Sequence, residues 1–298
     1  MRKGVAVKRG LLFLAGVLVI LALGTGILFR NEIRTMSSIE RIDDYGFYTM
    51  EYTGDYGFDE FLRVGASNDQ ELTQFVAGKL LKGLPISINV SDLGCTTFNG
   101  VTPQGDFIFG RNFDMTYAPG IIVHTKPTNG YKSISIVNLA FLGYNERLMP
   151  DKFLNRVTAL AVPYAPLDGI NEKGLSVGIL MLEDKPTNQT SNKIGITSST
   201  AIRLLLDKAA TVDEAVALLK NYDMHDTGNA CYHYQISDAA GKSVIVEYVD
   251  NEMHVLSPKE SYQACTNFYQ TPGKKYNLGI GQDRYNLVMA ELKKRNGV

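Results

Sequence analysis

Two helical stretches set between two runs of short strands constrain this chain more than any other feature. Residues 199–209 and 212–221 place Ile202, Leu205 and Leu206, then Val216 and Leu219, at helical spacing, and Thr211 with Glu214 makes a capping box. Before them, the segments CTTFNGV and FIFGRN flank the turn residues Pro103 to Asp106 and read as a hairpin beginning at Cys95. Further strands are expected at 121–125, 133–138 and 175–182, the last entered through the turn Asn171-Glu172-Lys173-Gly174. After the helices, segments 232–237, 243–249, 253–256 and 262–266 alternate with turns and read as a four-strand antiparallel meander, closed by a helix over 282–295. A helical pair buries its apolar stripes most readily by covering a sheet, so the order predicts an α+β layered domain.

Residues 31–94 have a different texture. Arg34 to Asp59 mixes charge, Tyr and Gly without sustained periodicity, as a stalk or loosely packed segment would. A helix over 67–82 is expected from a capping box at Ser67 and Gln70, an apolar face of Leu72, Phe75, Val76 and Leu80, and a stop at Gly83. Upstream, residues 10–29 carry no charge, and twenty residues at about 1.5 Å each span a hydrocarbon core. Arg2, Lys3, Lys8 and Arg9 precede that run and predict a cytoplasmic N-terminus, with the rest exported. Ala22 and Gly24 offer the small residues of a signal-peptide cut, but the apolar run continues through Phe29, which favours an uncleaved anchor. The expected division is therefore 1–30 anchor or signal peptide, 31–94 leading segment and 95–298 the layered domain.

Composition removes several functions. Lys plus Arg number 30 against 31 Asp plus Glu, with no long like-charge run, so nucleic acid is not an expected partner. Three cysteines, Cys95, Cys231 and Cys265, are too few for a disulfide scaffold or a four-thiolate zinc site. The ends of a four-strand meander lie apart, so Cys231 and Cys265 are expected to stay unpaired and all three thiols free. His124, His225, His233 and His254 show no ligand spacing. Neither a metal nor a cofactor is expected, and no proton transfer is assigned to a histidine. What remains is the hairpin: Cys95 opens one strand, while Arg111 and Asp114 close its partner. A guanidinium beside a thiol favours the nucleophilic thiolate, although a free cysteine is more commonly just buried.

The stretch Cys95-Thr96-Thr97-Phe98, then Gly110-Arg111-Asn112-Phe113-Asp114 and Asp168-Gly-Ile-Asn-Glu-Lys-Gly-Leu175, resembles the choloylglycine hydrolase group of N-terminal-nucleophile hydrolases. That group holds bile salt hydrolases, penicillin V acylases and acid amidases, and the resemblance runs from Cys95 to Arg284. It implies an αββα sandwich of antiparallel sheets and hydrolysis of a linear, non-peptide amide in a small N-acyl substrate. It further implies that Cys95 is the nucleophile, Arg111 an active-site arginine and Asp114 the residue that binds the amine. Asn267 matches the oxyanion asparagine and Arg284 the second arginine, while Met181 supplies a backbone N–H near the oxyanion and lacks the family's polar side chain. Asp168 and Asn171 fit the family motif and equally fit a turn.

The 94 residues before the cysteine resemble the layout of the acid amidases, which cut themselves, so cleavage at Gly94-Cys95 is expected. The resemblance also implies strands beyond the last helix, which this sequence, ending at Val298, does not supply. Residues near Met115, Tyr117, Phe141 and Tyr144 suggest an apolar pocket wall. Acyl transfer to an amine, a non-catalytic membrane-anchored binding module and homo-oligomerisation are left open.

Overall fold

The computed structural model describes residues 26–88, 94–115 and 117–298, together with Gly16 and Gly24. The chain enters through α1 (Arg30–Ser37), β1 (Glu40–Arg41), β2 (Tyr48–Glu51), α2 (Phe58–Val64) and α3 (Asp69–Lys79). The hairpin follows as β3 (Gly94–Val101) and β4 (Phe107–Asp114), then β5 (Gly120–Thr125), β6 (Ser133–Asn138), β7 (Asp168–Asn171) and β8 (Ser176–Leu182). Next come β9 (Gly195–Thr197), α4 (Ser198–Lys208), α5 (Val212–Leu219), β10 (Asp223–His225), β11 (Cys231–Ser237), β12 (Ser243–Val249) and β13 (Glu252–Leu256). The last elements are β14 (Gln263–Cys265), β15 (Asn267–Phe268), β16 (Gly279–Ile280) and α6 (Gln282–Lys294).

Nine strands join in the order β1-β2-β5-β6-β7-β8-β11-β12-β13, and three more in the order β14-β3-β4. Helix α4 packs on β7 and β8, and α5 packs on α4 and β11. Strand β3 packs against β8 and β11, and α6 lies on β3 and β14. The layers therefore run helix, sheet, sheet, helix, as expected. Strand β8 reads SVGILML and is buried at all positions but Met181, as a strand covered on both faces must be.

Three expectations need correction. The large sheet is not wholly antiparallel, because β2 pairs with β5 in parallel. The segment ahead of Cys95 is no stalk: Tyr48, Met50, Tyr56, Phe58 and Phe61 are buried in the main core. The Tyr56 hydroxyl donates to Asp207 at 2.6 Å, and Asp207 pairs with the fully buried Arg203, whose Nη1 also reaches Thr125 and Ser133. Gly46, Gly54 and Gly57 take positive φ between the elements, while Tyr48, Tyr52 and Tyr56 are buried and Tyr45 is exposed. Finally, the fourth strand of the expected meander leaves it, and β14 pairs with β3 in the other sheet.

Local signals fared better. Helix α3 keeps its capping box one residue on, with Asn68 Oδ1 accepting from the Glu71 N–H and Glu71 accepting from the Ser67 N–H. Thr211 Oγ1 accepts from the Glu214 N–H at the start of α5. Asn171 Oδ1 takes the N–H groups of Lys173 and Leu175 in its turn, and its Nδ2 caps the carbonyls of Leu206 and Ala209 at the end of α4. Most of the apolar run 10–29 lies outside the described residues, and among those described no helix is long and apolar enough to cross a membrane.

Candidate active site

The register of the hairpin decides what surrounds Cys95. Gly94 lies opposite Asp114, Cys95 opposite Phe113 and Thr97 opposite Arg111. Side chains alternate along a strand, so Cys95, Thr97, Phe113 and Arg111 share one face, with Arg111 diagonal to Cys95. That face meets β8, where a side-chain atom added at Gly178 would lie 3.1 Å from Thr97 and 3.6 Å from Arg111. Arg111 pairs with Asp168 at 3.3 Å. Burial opposes the charge on Arg111, and the neighbouring Cys95 and Asp168 outweigh it and raise its pKa. Burial likewise pushes Asp168 up, with Arg111 pulling against it. The Nη2 of Arg111 is buried without a hydrogen-bond partner, an open donor at the heart of the site. Asp168, read as a turn former or motif residue, is thus the partner of Arg111.

Residues distant in sequence arrive on β15 and α6. Asn267 Oδ1 accepts from the Cys95 backbone N–H and from Arg284 Nη2, both at 2.8 Å. Its Nδ2 donates to the Met181 carbonyl at 2.8 Å and keeps a second hydrogen free. The N–H and C=O of one residue in a strand point to the same side, so the Met181 N–H also faces this site. Arg284 Nη1 donates to the Cys95 carbonyl at 2.5 Å and to Thr96 Oγ1 at 3.0 Å, and lies 3.6 Å from Asp114. A cation in the first turn of a helix opposes the helix dipole by about 0.3–1 kcal/mol. Arg284 is held there by these contacts. Gly281 before it takes φ of 88°, and a side-chain atom there would come within 2.5 Å of Arg284 Nη2.

All six residues singled out by the sequence therefore converge, and two of them make contacts in the uncleaved chain that the sequence did not give. Asp114 does not hold the Cys95 nitrogen: it accepts from Asn112 Nδ2 at 2.7 Å and faces Gly94 and Arg284. In the uncleaved chain that nitrogen has one hydrogen, and Asn267 takes it. Met181 gives its carbonyl to Asn267, a contact beyond the backbone N–H expected of it. The pocket wall is also different: of the four residues near the expected wall, Phe141 borders a small apolar void, together with Ile88, Leu167, Ile179 and Tyr232. Tyr144 is buried and bonded to the Asn155 carbonyl, and Tyr117 is exposed.

Cys95 itself is 0% exposed, so the sulfur is sealed in the uncleaved chain. A cleft of about 650 Å³ reaches Arg111 and Asp168 between the two sheets, and Cys95 is not among the residues that line it. All three cysteines are free and buried. No group of three or more His, Cys, Asp or Glu able to hold a metal occurs among the described residues. Sequence reasoning missed His233 and Glu247, buried between the sheets just behind Asn267. Polar residues within the buried strands β11 and β12 were the available signal.

A family profile described as linear amide C–N hydrolases, choloylglycine hydrolase family, matches residues 95–272. The penicillin V acylase of Pectobacterium atrosepticum is 34% identical over 111 residues, 34% of this chain and 29% of that protein. The bile salt hydrolase/transferase of Clostridium perfringens is 28% identical over 205 residues, 61% of this chain and 59% of that protein. Among solved structures, a conjugated bile acid hydrolase mutant from C. perfringens aligns at TM-score 0.44 with 20% identity, over 67% of this chain and 57% of that one. The Caenorhabditis elegans N-acylethanolamine-hydrolyzing acid amidase ortholog aligns at 0.42 with 16% identity, over 67% and 79%. The chain spans less than two thirds of both curated relatives. With the profile covering well over half of its residues, the chain belongs to the linear amide C–N hydrolases of the choloylglycine hydrolase family.

Proposed function

We propose that this chain cuts itself at Gly94-Cys95 and then hydrolyses a linear amide bond in a small N-acyl compound, with Cys95 as N-terminal nucleophile. The observation that carries this reading is the hydrogen bond from the Cys95 backbone nitrogen to Asn267, which already holds the atom that cleavage would turn into an α-amine. In the cut, Cys95 Sγ attacks the Gly94 carbonyl carbon and the peptide C–N bond breaks. The amine departs with a proton and leaves a thioester, which water hydrolyses to a carboxylate and the free thiol. Gly94 suits that step, because even a single side-chain carbon there would press to 3.0 Å from Asp114. Its removal takes away the residue between Asp114 and the new amine, which has additional hydrogens to donate.

In turnover, the amine titrates near about 7.7–8.0 and takes the thiol proton, and the thiolate attacks the substrate carbonyl. The free hydrogen of Asn267 Nδ2 and the Met181 N–H stabilise the oxyanion, and removing such a donor costs about 10²–10³ in rate. The amine returns its proton to the departing nitrogen, and water releases the acid. The open Nη2 of Arg111 supplies a donor toward the thiolate or the substrate. Ile88, shortly before the cut, closes the apolar void beside Tyr232 and Ile179, which fits an apolar acyl group taking that space once the leading segment shifts. We further infer that residues 10–29 anchor the protein with its catalytic part outside the cytoplasm, as the basic flank supports.

Mass spectrometry of the purified chain tests the cut: a fragment beginning at Cys95 is expected, and an intact chain that hydrolyses amides overturns self-processing. Penicillin V, conjugated bile acids and N-acyl amines of graded chain length then test the substrate class. No turnover of any by processed protein overturns the hydrolase reading.

A further inference from the structure

His233 and Glu247 are fully buried, and they face each other at 3.0 Å between Nδ1 and Oε1. The other ring nitrogen, Nε2, lies 2.7 Å from the Thr266 carbonyl. Both nitrogens thus meet oxygens that only accept, which requires two N–H groups and an imidazolium. Burial opposes that charge, and the Glu247 carboxylate bonded to Nδ1 favours it, so the imidazole pKa is raised. Such a ring has no lone pair with which to take a proton from Cys265, 3.5 Å away, so the trio is not a second nucleophile and base.

The partners show what the pair holds. Thr266 immediately precedes Asn267, and its carbonyl is fixed by His233. The hydroxyl of Thr266 donates to the Gly281 carbonyl at 3.0 Å, which ties the same peptide to the start of α6 and hence to Arg284. On the far side of Asn267, Glu247 accepts from the Gln270 N–H at 2.9 Å and the Thr271 N–H at 2.8 Å. The chain is therefore gripped just before and just after the short β15, and Asn267 stands between the grips. Buried ion pairs often stabilise no better than apolar residues of the same volume, so positioning is the role this geometry supports.

Resting on the reading of Asn267 as oxyanion donor, we propose that the buried His233–Glu247 pair is the positioning device of the site, clamping the 266–271 segment so that Asn267 and Arg284 meet Cys95. The test uses His233→Phe, Asn267→Ala, their double variant, and the His233→Gln/Glu247→Gln pair. In that last pair, amide groups can rebuild a neutral clamp on Thr266 and on one of the two backbone N–H groups. Turnover is normalised to active sites titrated with iodoacetamide at Cys95. His233→Phe is expected to lower kcat per titrated site about 10- to 100-fold with KM within about threefold. In the Asn267→Ala background it should cost less than about threefold, and the Gln/Gln pair should recover most of the rate. A lower titre with unchanged turnover per site, or additive losses in the double variant, overturns the positioning role.

Hydrogen–deuterium exchange of the same proteins reads the clamp without activity. Faster exchange confined to residues 263–272 in His233→Phe is expected, while unchanged exchange there, or loss of protection throughout, overturns the proposal. Wild-type protein inactive on every amide, with His233→Phe still showing the confined exchange change relative to it, would overturn the hydrolase reading and leave the clamp standing.

Discussion

Two buried arginine–carboxylate pairs are associated with opposite faces of the large sheet, and their surroundings differ more than their geometry. Arg203 and Asp207 meet at 3.2 Å beneath the helices, and Arg111 and Asp168 meet at 3.3 Å between the sheets. Around Arg203 the neighbours are hydroxyls that end in the core: Thr125, Ser133 and Ser135, with Tyr56 on the carboxylate. Around Arg111 the neighbours are a thiol and a 650 Å³ cleft. Each arginine keeps one nitrogen without a partner, so an unsatisfied buried donor alone does not mark a functional site. What separates the two is reactive chemistry within reach. The first pair ties the leading segment to the helix α4, and the second borders Cys95, the proposed nucleophile.

The largest expected effect lies wholly on the Arg111 side. Cys95→Ala should abolish both cleavage at Gly94-Cys95 and amide hydrolysis, read by mass spectrometry and a substrate assay, because in the proposed mechanism one sulfur serves both steps. Retained cleavage in that variant would break the link between them.

The comparison itself is tested by a matched pair. Arg203→Met leaves Asp207 buried and unpaired and should cost about 3–5 kcal/mol of stability by denaturant unfolding, with turnover per folded molecule unchanged. Arg111→Lys keeps the charge but loses the guanidinium fork, and should lower turnover about 10- to 100-fold with a smaller stability loss. Equal partition of the two effects in both variants would erase the distinction drawn here.

A smaller effect is expected at the rim. Asp114→Asn should slow already processed protein about tenfold, since the carboxylate would no longer orient the new amine by a charge-assisted hydrogen bond. Rates unchanged across the pH range would assign that job to Asn267 alone.

At the bottom of the scale, His124→Gln and His254→Gln should leave turnover within a few fold. The denatured, unreduced protein should titrate three thiols. A hundredfold loss from either histidine, without unfolding, would favour a cysteine–histidine mechanism over the α-amine as base. His233 is no longer grouped with these, because its contacts reach the segment that carries Asn267.

Local rules made much of this protein legible in its sequence. Strand alternation, the Asn171 turn and the Thr211 cap act between near neighbours, so β6, β8, α4 and α5 could be read from periodicity. The hairpin register likewise put Arg111 and Asp114 within reach of Cys95, since fewer than twenty residues separate them. Asn267 and Arg284 were identified through a motif, because no local rule joins residues 172 and 189 positions away from Cys95. Pairing of β14 with β3 in the second sheet, the parallel join of β2 to β5, and the inward face of Tyr56 depend on contacts between distant segments. The same holds for the His233–Glu247 clamp. Sequence alone thus determined which residue types and turns were available. Tertiary structure decided which of the buried charges face a thiol and which face only the core, because desolvation and pairing are properties of the assembled layers.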